Sequence, residues 1–289
     1  MGIENVRNIA VIGSGIMGAG IAQVCAVAGY RVAMRDIGEA YLQKGMEAIR
    51  SSLKKGVERG KLTQERADEA VARIRMTLNL AEAVEEADVV IEAVPENLEL
   101  KKQVFKELDE ICPKDAILAT NTSSFSITEI ASATRRPDRV AGMHFFNPVH
   151  AMNLVEVIRG DSTSDQTIQI VRDLAKRLGK TPVNVNEAPG FVVNRLLAPF
   201  LNEAMFCLME GIAEAKDIDT AIKLGLNHPM GPLELADLVG LDTTLAILDY
   251  MHKETGDPKY RPCPLLRKMV RAGRLGRKSA KGFYDYTAR

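Results

Sequence analysis

Residues 8–18 read NIAVIGSGIMG, and residues 31–36 read RVAMRD. The first stretch is an apolar run that ends in the glycine pattern GxGxxG, and the second ends in an acid. A short apolar run bounded by glycine predicts a buried strand, and the small apolar residues over 15–29 predict a helix. The chain therefore begins with strand, glycine turn, helix and strand, which is the order of a parallel βαβ unit.

The glycines of this pattern suit a dinucleotide. Gly13 permits a tight turn, Gly15 lets the backbone approach a pyrophosphate, and Gly18 lets the helix pack closely on the strand. The positive end of the helix, which begins at Ile16 and Met17, faces the phosphates. The pattern follows a predicted strand and opens a predicted helix, so it predicts a dinucleotide site. A glycine turn without any dinucleotide is the alternative interpretation.

An acidic residue follows the second predicted strand and points to the identity of the dinucleotide. Asp36 lies 23 residues beyond Gly13. A carboxylate at this position accepts hydrogen bonds from the adenosine ribose hydroxyls and repels a 2′-phosphate, so the sequence predicts NAD rather than NADP. Arg35 leaves NADP open, because a neighbouring arginine could bind a 2′-phosphate.

Strands and helices alternate over the first two thirds of the chain. Further strands are predicted at residues 75–78, 88–93, 116–120, 140–144 and 154–158. Helices are predicted at residues 38–73 with a break near 60–63, and at 98–111 and 165–178. This alternation predicts an α/β fold with a Rossmann-type doubly wound sheet.

The pattern changes after about residue 185. Only helical periodicity remains, over residues 191–213, 215–224, 232–252 and 264–272. We therefore predict an NAD-binding domain in residues 1–186, followed by a smaller all-helical domain in residues 187–289 that serves in substrate binding and dimerisation.

Composition excludes several classes of partner. Lys and Arg together number 38, as do Asp and Glu, so no net charge draws the protein to nucleic acid or to an anionic membrane. The four cysteines, at 25, 112, 207 and 263, form no CxxC pair, which indicates reduced thiols and no metal site. Neither a signal peptide nor a membrane-span pattern is visible, so we expect a cytoplasmic protein without membrane or nucleic-acid partners.

A histidine and a glutamate on neighbouring strands form the candidate catalytic pair. His144 lies at the end of a predicted strand, and Glu156 lies twelve residues later inside the apolar stretch VEVI. Because a buried glutamate is unfavourable unless it is paired, His144 is a suitable partner for it. Oxidation of a secondary alcohol needs a base that takes the hydroxyl proton, and a histidine oriented by a carboxylate has the right intrinsic pKa.

Several segments of the chain resemble the signature segments of 3-hydroxyacyl-CoA dehydrogenases. These are NTSS at 121–124, HFFNP at 144–148, PGFVVNR at 189–195, PMGP at 229–232, GLD at 240–242 and KGFY at 281–284. The likeness spans essentially the whole chain in the same order and is closest to the short bacterial 3-hydroxybutyryl-CoA dehydrogenase type. It implies the reversible NAD-dependent oxidation of a short-chain (S)-3-hydroxyacyl-CoA, such as 3-hydroxybutyryl-CoA, to the 3-oxoacyl-CoA, acetoacetyl-CoA in that case.

The resemblance also implies roles for individual residues around the substrate. It makes His144 and Glu156 the catalytic pair, places Ser123 against the 3-oxygen of the substrate and the cofactor, and has Asn194 position the thioester and the histidine. A helix N-cap is the structural alternative for Ser123, and a satisfied amide on a buried helix is the alternative for Asn194. Lys54 occupies the position that contacts the coenzyme A moiety, although most charge runs of this kind are solvated helix faces.

For the cofactor, the resemblance places Glu96 and Lys101 near the nicotinamide ribose and Asn147 beside the nicotinamide. It brings Lys281 to the cofactor from the C-terminal segment, and it implies a homodimer. Three other interpretations stay open. The chain could be a related dehydrogenase of a free hydroxy acid or sugar acid such as gulonate, a catalytically silent relative, or one component of a multienzyme complex.

Overall fold

Within residues 2–287, which the computed structural model describes, eight strands form one sheet. In chain order they are β1 (Asn8–Ile12), β2 (Arg31–Arg35), β3 (Ile74–Thr77), β4 (Val89–Glu92), β5 (Ile117–Thr120), β6 (Val140–Phe145), β7 (Leu154–Arg159) and β8 (Thr181–Asn186). Their order across the sheet is β3-β2-β1-β4-β5-β6-β7-β8. The chain reverses direction across the sheet between β1 and β4, and ligands bind to sheets of this kind at that switch point.

The sheet is parallel from β3 to β6, and β7 runs antiparallel to β6. A parallel neighbour needs a long crossover, whereas only a short loop separates the end of β6 from the start of β7. The antiparallel pairing places His144 directly opposite Glu156. The carboxyl ends of β1, β4, β5 and β6 consequently lie side by side at one edge of the sheet.

Helices cover the sheet in the first compact unit, Met1–Ala188. They are α1 (Ile16–Val27), α2 (Glu39–Glu58), α3 (Gln64–Ala72), α4 (Leu80–Val84), α5 (Leu98–Ile111), α6 (Ile127–Ala131) and α7 (Asp165–Arg177). The core of this unit is built from the apolar faces of these helices and the buried strands, with Ile9, Val11, Ile91 and Phe145 among its members. The predicted α/β class with a doubly wound sheet is confirmed.

Three elements of this unit differ from the sequence-based expectation. The last strand, β8, has no counterpart in the prediction, because its residues TPVNVN are mostly exposed and include a proline. A proline in a polar strand is typical of a sheet edge, where one side of the strand needs no partner. The short helices α4 and α6 span five residues each, too few to show a helical period in the sequence.

The second compact unit, Pro189–Arg289, is helical in the residues described. It contains α8 (Val193–Met209), α9 (Ala215–Gly225), α10 (Pro232–Val239), α11 (Leu241–Thr255) and α12 (Pro264–Arg271). The prediction of one continuous helix over residues 232–252 is wrong. Gly240 has a φ of 102° and ends α10 before α11 begins, because a positive φ is incompatible with a right-handed helix.

Two buried aspartates organise this unit. Asp219 on α9 accepts hydrogen bonds from the backbone N–H groups of Leu233 and Glu234 at 2.8 and 2.9 Å, so it caps α10 from a neighbouring helix. Asp237 on α10 accepts from the N–H groups of Phe283 and Tyr284, both at 3.0 Å, and thereby holds the C-terminal KGFY segment. None of the helices within residues 2–287 combines the length and apolar character of a membrane span.

Candidate active site

The glycine turn after β1 has the geometry of a phosphate cradle. Gly13 has a φ of 105°, and a Cβ there would lie 2.5 Å from the carbonyl oxygen of Ala93. A Cβ on Gly18 would lie 1.8 Å from the carbonyl oxygen of Gly13, so helix and strand approach too closely for any side chain. Both positions therefore require glycine for packing within the fold.

Gly15 differs from the other two glycines because nothing within the protein occupies the space of its Cβ. Gly15 is the N-cap residue of α1, and no side chain caps this end of the helix. The first N–H groups of the helix therefore face an open space with the positive end of the helix dipole behind them. A pyrophosphate fits this space, and the exposed Ile16 and half-buried Met17 lie beside it.

Asp36 is held at the end of β2 by the glycine turn. Its Oδ2 accepts hydrogen bonds from the backbone N–H and the hydroxyl of Ser14 at 2.7 and 2.8 Å, and its Oδ1 accepts from Ile37 N–H at 2.7 Å. Arg35, which left NADP open in the sequence, instead donates from Nε to the carbonyl of Leu78 at 3.2 Å. These residues fit the adenosine ribose of NAD.

His144 and Glu156 form a buried cross-strand pair. The Nδ1 atom of His144 lies 2.8 Å from Oε2 of Glu156, and the two side chains are 8% and 1% exposed. Their register in the β6–β7 ladder places them opposite each other, so the contact follows from strand pairing. Nδ1 is the ring nitrogen that faces the carboxylate, and Nε2 lies on the other side of the ring. The Phe146 ring packs on the imidazole, with centroids 4.5 Å apart.

Ser123, Glu96 and Lys101 form one hydrogen-bonded cluster at the carboxyl ends of β4 and β5. Oε1 of Glu96 accepts from the N–H and the hydroxyl of Ser123 at 2.9 and 3.1 Å and from the Thr122 hydroxyl at 2.7 Å. Oε2 of Glu96 lies 3.2 Å from Nζ of Lys101, whose side chain is only 1% exposed. The structure thus joins Ser123, which the resemblance assigned to the substrate and the cofactor, to Glu96 and Lys101, which it assigned together to the nicotinamide ribose.

The charge state of Glu96 depends on this cluster. Burial by itself disfavours the ionised form, but the Lys101 ammonium and the hydrogen bonds from Thr122 and Ser123 outweigh burial and hold the pKa of Glu96 below its usual value. Glu96 is therefore a carboxylate at neutral pH and acts only as an acceptor toward Ser123.

Glu92 is a buried charged residue in contact with this cluster, and the sequence reasoning did not single it out. It ends β4 with a side chain that is 0% exposed, and its Oε1 lies 2.8 Å from Nζ of Lys101. The available signal was the same as for Glu156: DVVIEA carries one carboxylate within a strongly apolar strand, and such a group needs a partner.

The structural alternative for Ser123, a helix N-cap, is not what the structure contains. Ser126 is the N-cap of α6, and its hydroxyl accepts from Glu129 N–H at 3.0 Å. Ser123 lies three residues earlier, in the loop that Glu96 binds. The N-cap requirement of α6 therefore gives no reason for a serine at position 123.

Asn147 is exposed in the loop after β6, next to a cis peptide bond with Pro148. The end of β6 is fastened by Asn121, whose Oδ1 accepts from Phe145 N–H at 2.9 Å.

Lys54 is exposed on α2 and lines, with Arg50 and Asp68, a cleft of about 530 Å³ between α2 and α3.

The remaining predicted residues, Asn194 and Lys281, belong to the second unit. Asn194 is half-buried in the first turn of α8, so it is not an amide deep in a helical core. Lys281 forms isolated bridges with Gly276 and Asp285, in the segment that Asp237 holds.

Comparisons with known proteins cover both units. Residues 8–188 match the NAD binding domain of 3-hydroxyacyl-CoA dehydrogenase, and residues 190–286 match the C-terminal domain of the same family. A 3-hydroxybutyryl-CoA dehydrogenase of Clostridioides difficile is 51% identical over 278 residues, which is 96% of this chain and 99% of that protein. The human mitochondrial hydroxyacyl-coenzyme A dehydrogenase is 46% identical over 97% of this chain and 91% of its own length.

Among solved structures, the (S)-3-hydroxybutyryl-CoA dehydrogenase of Ralstonia eutropha superposes with a TM-score of 0.95 at 49% identity, covering 98% of this chain and 100% of that one. The resemblance noted in the signature segments is confirmed over both units, and so is NAD as the cofactor. From these matches and the geometry of its dinucleotide cradle, the protein belongs to the 3-hydroxyacyl-CoA dehydrogenase family of NAD-dependent oxidoreductases.

Proposed function

We propose that this protein catalyses the reversible oxidation of (S)-3-hydroxybutyryl-CoA, or a similarly short 3-hydroxyacyl-CoA, to the 3-oxoacyl-CoA. The observation that carries the proposal is the 2.8 Å contact between Nδ1 of His144 and Oε2 of Glu156. This contact lies at the carboxyl edge of the sheet where the dinucleotide turn also lies. The family and the printed names of the relatives support the thioester substrate.

In the oxidative direction His144 is the general base. Its Nε2 takes the proton of the 3-hydroxyl group while Glu156, on the opposite side of the ring, stabilises the positive charge that develops. NAD, when bound, accepts the hydride that leaves C3. In the reductive direction the protonated ring returns its proton to the 3-oxygen, so the same pair serves both directions.

The hydroxyl-bearing loop orients the reacting oxygen. The Ser123 hydroxyl interacts with the 3-oxygen of the substrate. While it donates to Glu96 it accepts from a 3-hydroxyl group, and donation to a 3-carbonyl requires its proton to turn away from Glu96. Glu96 holds this loop by two contacts to Ser123 and, with Lys101, contacts the nicotinamide ribose. Asn147 lies beside the nicotinamide, and Asn194 positions the thioester end.

Coenzyme A is polyanionic, so its binding needs local cations in a protein without net charge. Lys54 contacts the coenzyme A moiety, and Lys281 approaches the cofactor from the C-terminal segment. We further propose that residues 1–186 bind NAD and that residues 187–289 bind substrate and form a homodimer in the cytoplasm.

The decisive experiment compares acetoacetyl-CoA with free acetoacetate as the oxidant of NADH. We expect rapid NADH oxidation with the thioester and none above background with the free acid, because only the thioester carries the coenzyme A handle. Comparable turnover of both compounds, or turnover of gulonate with NAD, would instead identify a dehydrogenase of free acids. The absorbance of NADH measures all three reactions, as a loss with acetoacetyl-CoA or acetoacetate and as a gain with gulonate and NAD.

A further inference from the structure

A fully buried ion pair lies beneath the Ser123 loop. The carboxylate of Glu92 is 0% exposed, and Lys101 on α5 is 1% exposed, with 2.8 Å between Oε1 and Nζ. The remaining contacts of Glu92 are also made: Oε1 accepts from Val94 N–H at 2.7 Å, and Oε2 accepts from the Thr120 hydroxyl at 2.6 Å. A carboxylate buried to this degree requires a cationic partner, and Lys101 is that partner.

The same ammonium group faces the active-site loop. Nζ of Lys101 lies 3.2 Å from Oε2 of Glu96, and the other oxygen of Glu96 binds the N–H and hydroxyl of Ser123. Glu92, Lys101, Glu96 and Ser123 therefore form a continuous chain of charged and hydrogen-bonded contacts from the interior of the sheet to its carboxyl edge. In this chain Lys101 contacts both carboxylates, and Glu96 contacts both Lys101 and Ser123.

Exposure to water distinguishes the carboxylates of Glu92 and Glu96. Glu96 has a side chain that is 37% exposed, so water stabilises it in part, whereas Glu92 relies on protein groups alone. If Glu92 were neutral, Lys101 would keep only Glu96 as a counter-charge and would be drawn toward it, away from the floor of the site. Glu92 is the buried counter-charge of the Lys101 ammonium, and Lys101 in turn contacts one oxygen of Glu96 while Thr122 and Ser123 contact the other.

We propose that Glu92 is a positioning residue of the active site, which acts through Lys101 to orient Glu96 and the Ser123 loop for the cofactor and the substrate. This inference rests on the proposed roles of Glu96, Lys101 and Ser123. It assigns Glu92 no contact with either ligand.

The test measures NADH binding directly, by titrating NADH fluorescence with the intact protein, and thermal stability in parallel. Glu92→Gln keeps the shape of the side chain and removes its charge, and we expect the Kd for NADH to rise about tenfold, a size typical of coupled neighbours. The matched control is Asp109→Asn. Asp109 is a buried carboxylate on α5, the helix that also carries Lys101, and it pairs with Arg135 and Arg136. This control should lose stability with its Kd for NADH within about twofold of the wild type.

A double-mutant comparison separates action through Lys101 from a general loss of stability. On a Lys101→Gln background, Glu92→Gln should change the Kd for NADH by less than about twofold, because the ion pair between Glu92 and Lys101 is already absent. The double variant carries no buried charge at this position, and it is compared with Lys101→Gln at a temperature at which the thermal-stability measurement shows both to be folded, so Glu92→Gln alone is not needed for this comparison. Multiplicative effects of the two changes, or a Glu92→Gln variant that loses stability but binds NADH like the control, would overturn the inference.

Failure of the proposed function gives a different result. In that case the wild type binds NADH but does not reduce acetoacetyl-CoA, and the comparison of NADH affinities still decides the role of Glu92.

Discussion

At the scale of single residues, the buried charged groups mark the candidate site. Glu92, Lys101, His144 and Glu156 are all nearly inaccessible to water, and each lies within hydrogen-bond distance of an opposite or complementary group. Replacing a buried pair by apolar residues is often neutral or stabilising, so such pairs are weak contributors to stability. Their position at the carboxyl edge of the sheet therefore supports the roles proposed for them.

Replacing His144 tests the general base. We expect His144→Ala to lower kcat for acetoacetyl-CoA reduction by about 10²- to 10⁴-fold, the usual contribution of a general acid or base, with the Kd for NADH nearly unchanged. The control is His150→Ala, which removes an exposed histidine of the following loop and should retain activity. A decrease in kcat of less than about tenfold for His144→Ala would mean that His144 has a structural role and is not the general base.

Asp36 tests the choice of cofactor. We expect Asp36→Asn to lower the ratio of kcat/KM for NADH over NADPH by about tenfold or more, because the charge that repels a 2′-phosphate is gone. Asp88→Asn is the matched control, since Asp88 also accepts two backbone N–H groups, those of Arg7 and Asn8, at the opposite end of β1. An unchanged ratio in Asp36→Asn would mean that this carboxylate does not discriminate between the adenosine riboses of NADH and NADPH.

At the scale of elements, the start of α1 separates glycines required by the fold from the glycine required by the ligand. Gly18 packs against the carbonyl of Gly13, whereas the Cβ position of Gly15 is open. The same three-glycine pattern thus contains two physical requirements, and only the second one depends on a bound pyrophosphate.

Alanine substitutions distinguish these two requirements. Gly15→Ala should cost about 1 kcal/mol of stability at most, as for a less suitable N-cap residue, while raising the Kd for NADH more than about tenfold. Gly18→Ala should cost about 1–3 kcal/mol or more, because the backbone must move apart. Urea unfolding and NADH fluorescence measure the two quantities. Equal loss of stability in both variants would contradict the open space at Gly15.

The end of α5 is tied to the loop after α6 by charge. Burial raises the pKa of Asp109, but hydrogen bonds from Arg135 and Arg136 and the charge of Arg136 outweigh it and hold the pKa below its usual value. A carboxyl group whose pKa is lowered in the folded state stabilises the fold above its unfolded pKa of about 3.9, and this contribution is lost as the pH falls through the folded-state pKa.

The consequence is a stability difference that depends on pH. We expect wild type to exceed Asp109→Asn in the free energy of unfolding by a constant amount above about pH 5, and this excess to shrink steadily toward about pH 3. Urea unfolding at a series of pH values measures it. An excess that grows on acidification would show that Asp109 is not stabilised as the carboxylate.

At the scale of the whole molecule, the second unit exposes large apolar side chains. Leu224, Leu196 and Ile212 are 81%, 69% and 68% exposed. In the proposed homodimer, we expect side chains of this kind to be buried against a second copy of the chain.

Light scattering coupled to size-exclusion chromatography tests this assembly. We expect twice the chain mass for the wild type and a shift toward the monomer for Leu224→Asp, since a charge would have to be buried in the contact. Ile111→Asp, at a partly exposed apolar position of the first unit, should leave the mass unchanged. A monomeric wild type at micromolar concentration would contradict the homodimer.

Much of the fold and part of the site follow from local sequence pattern. The apolar run before Gly13 predicts β1, the glycines predict the turn into α1, and Asp36 follows β2 as expected. Patterns with a physical period or a conformational requirement are readable without coordinates. Three features were missed. The edge strand β8 is polar, and the helix α6 is too short to show a period. The break at Gly240 lies between two segments that are both helical.

By itself, the amino-acid sequence determined the class of fold and the dinucleotide turn, since each of these depends on residues that are near one another in the chain, and it supplied the candidate site residues except Glu92. Only the tertiary structure decided which of these residues meet. The register of β6 and β7 places His144 on Glu156, and the crossing of α5 beneath the β4 and β5 ends joins Glu92, Lys101 and Glu96. Such contacts join residues through strand pairing and helix packing, whose register no local pattern encodes.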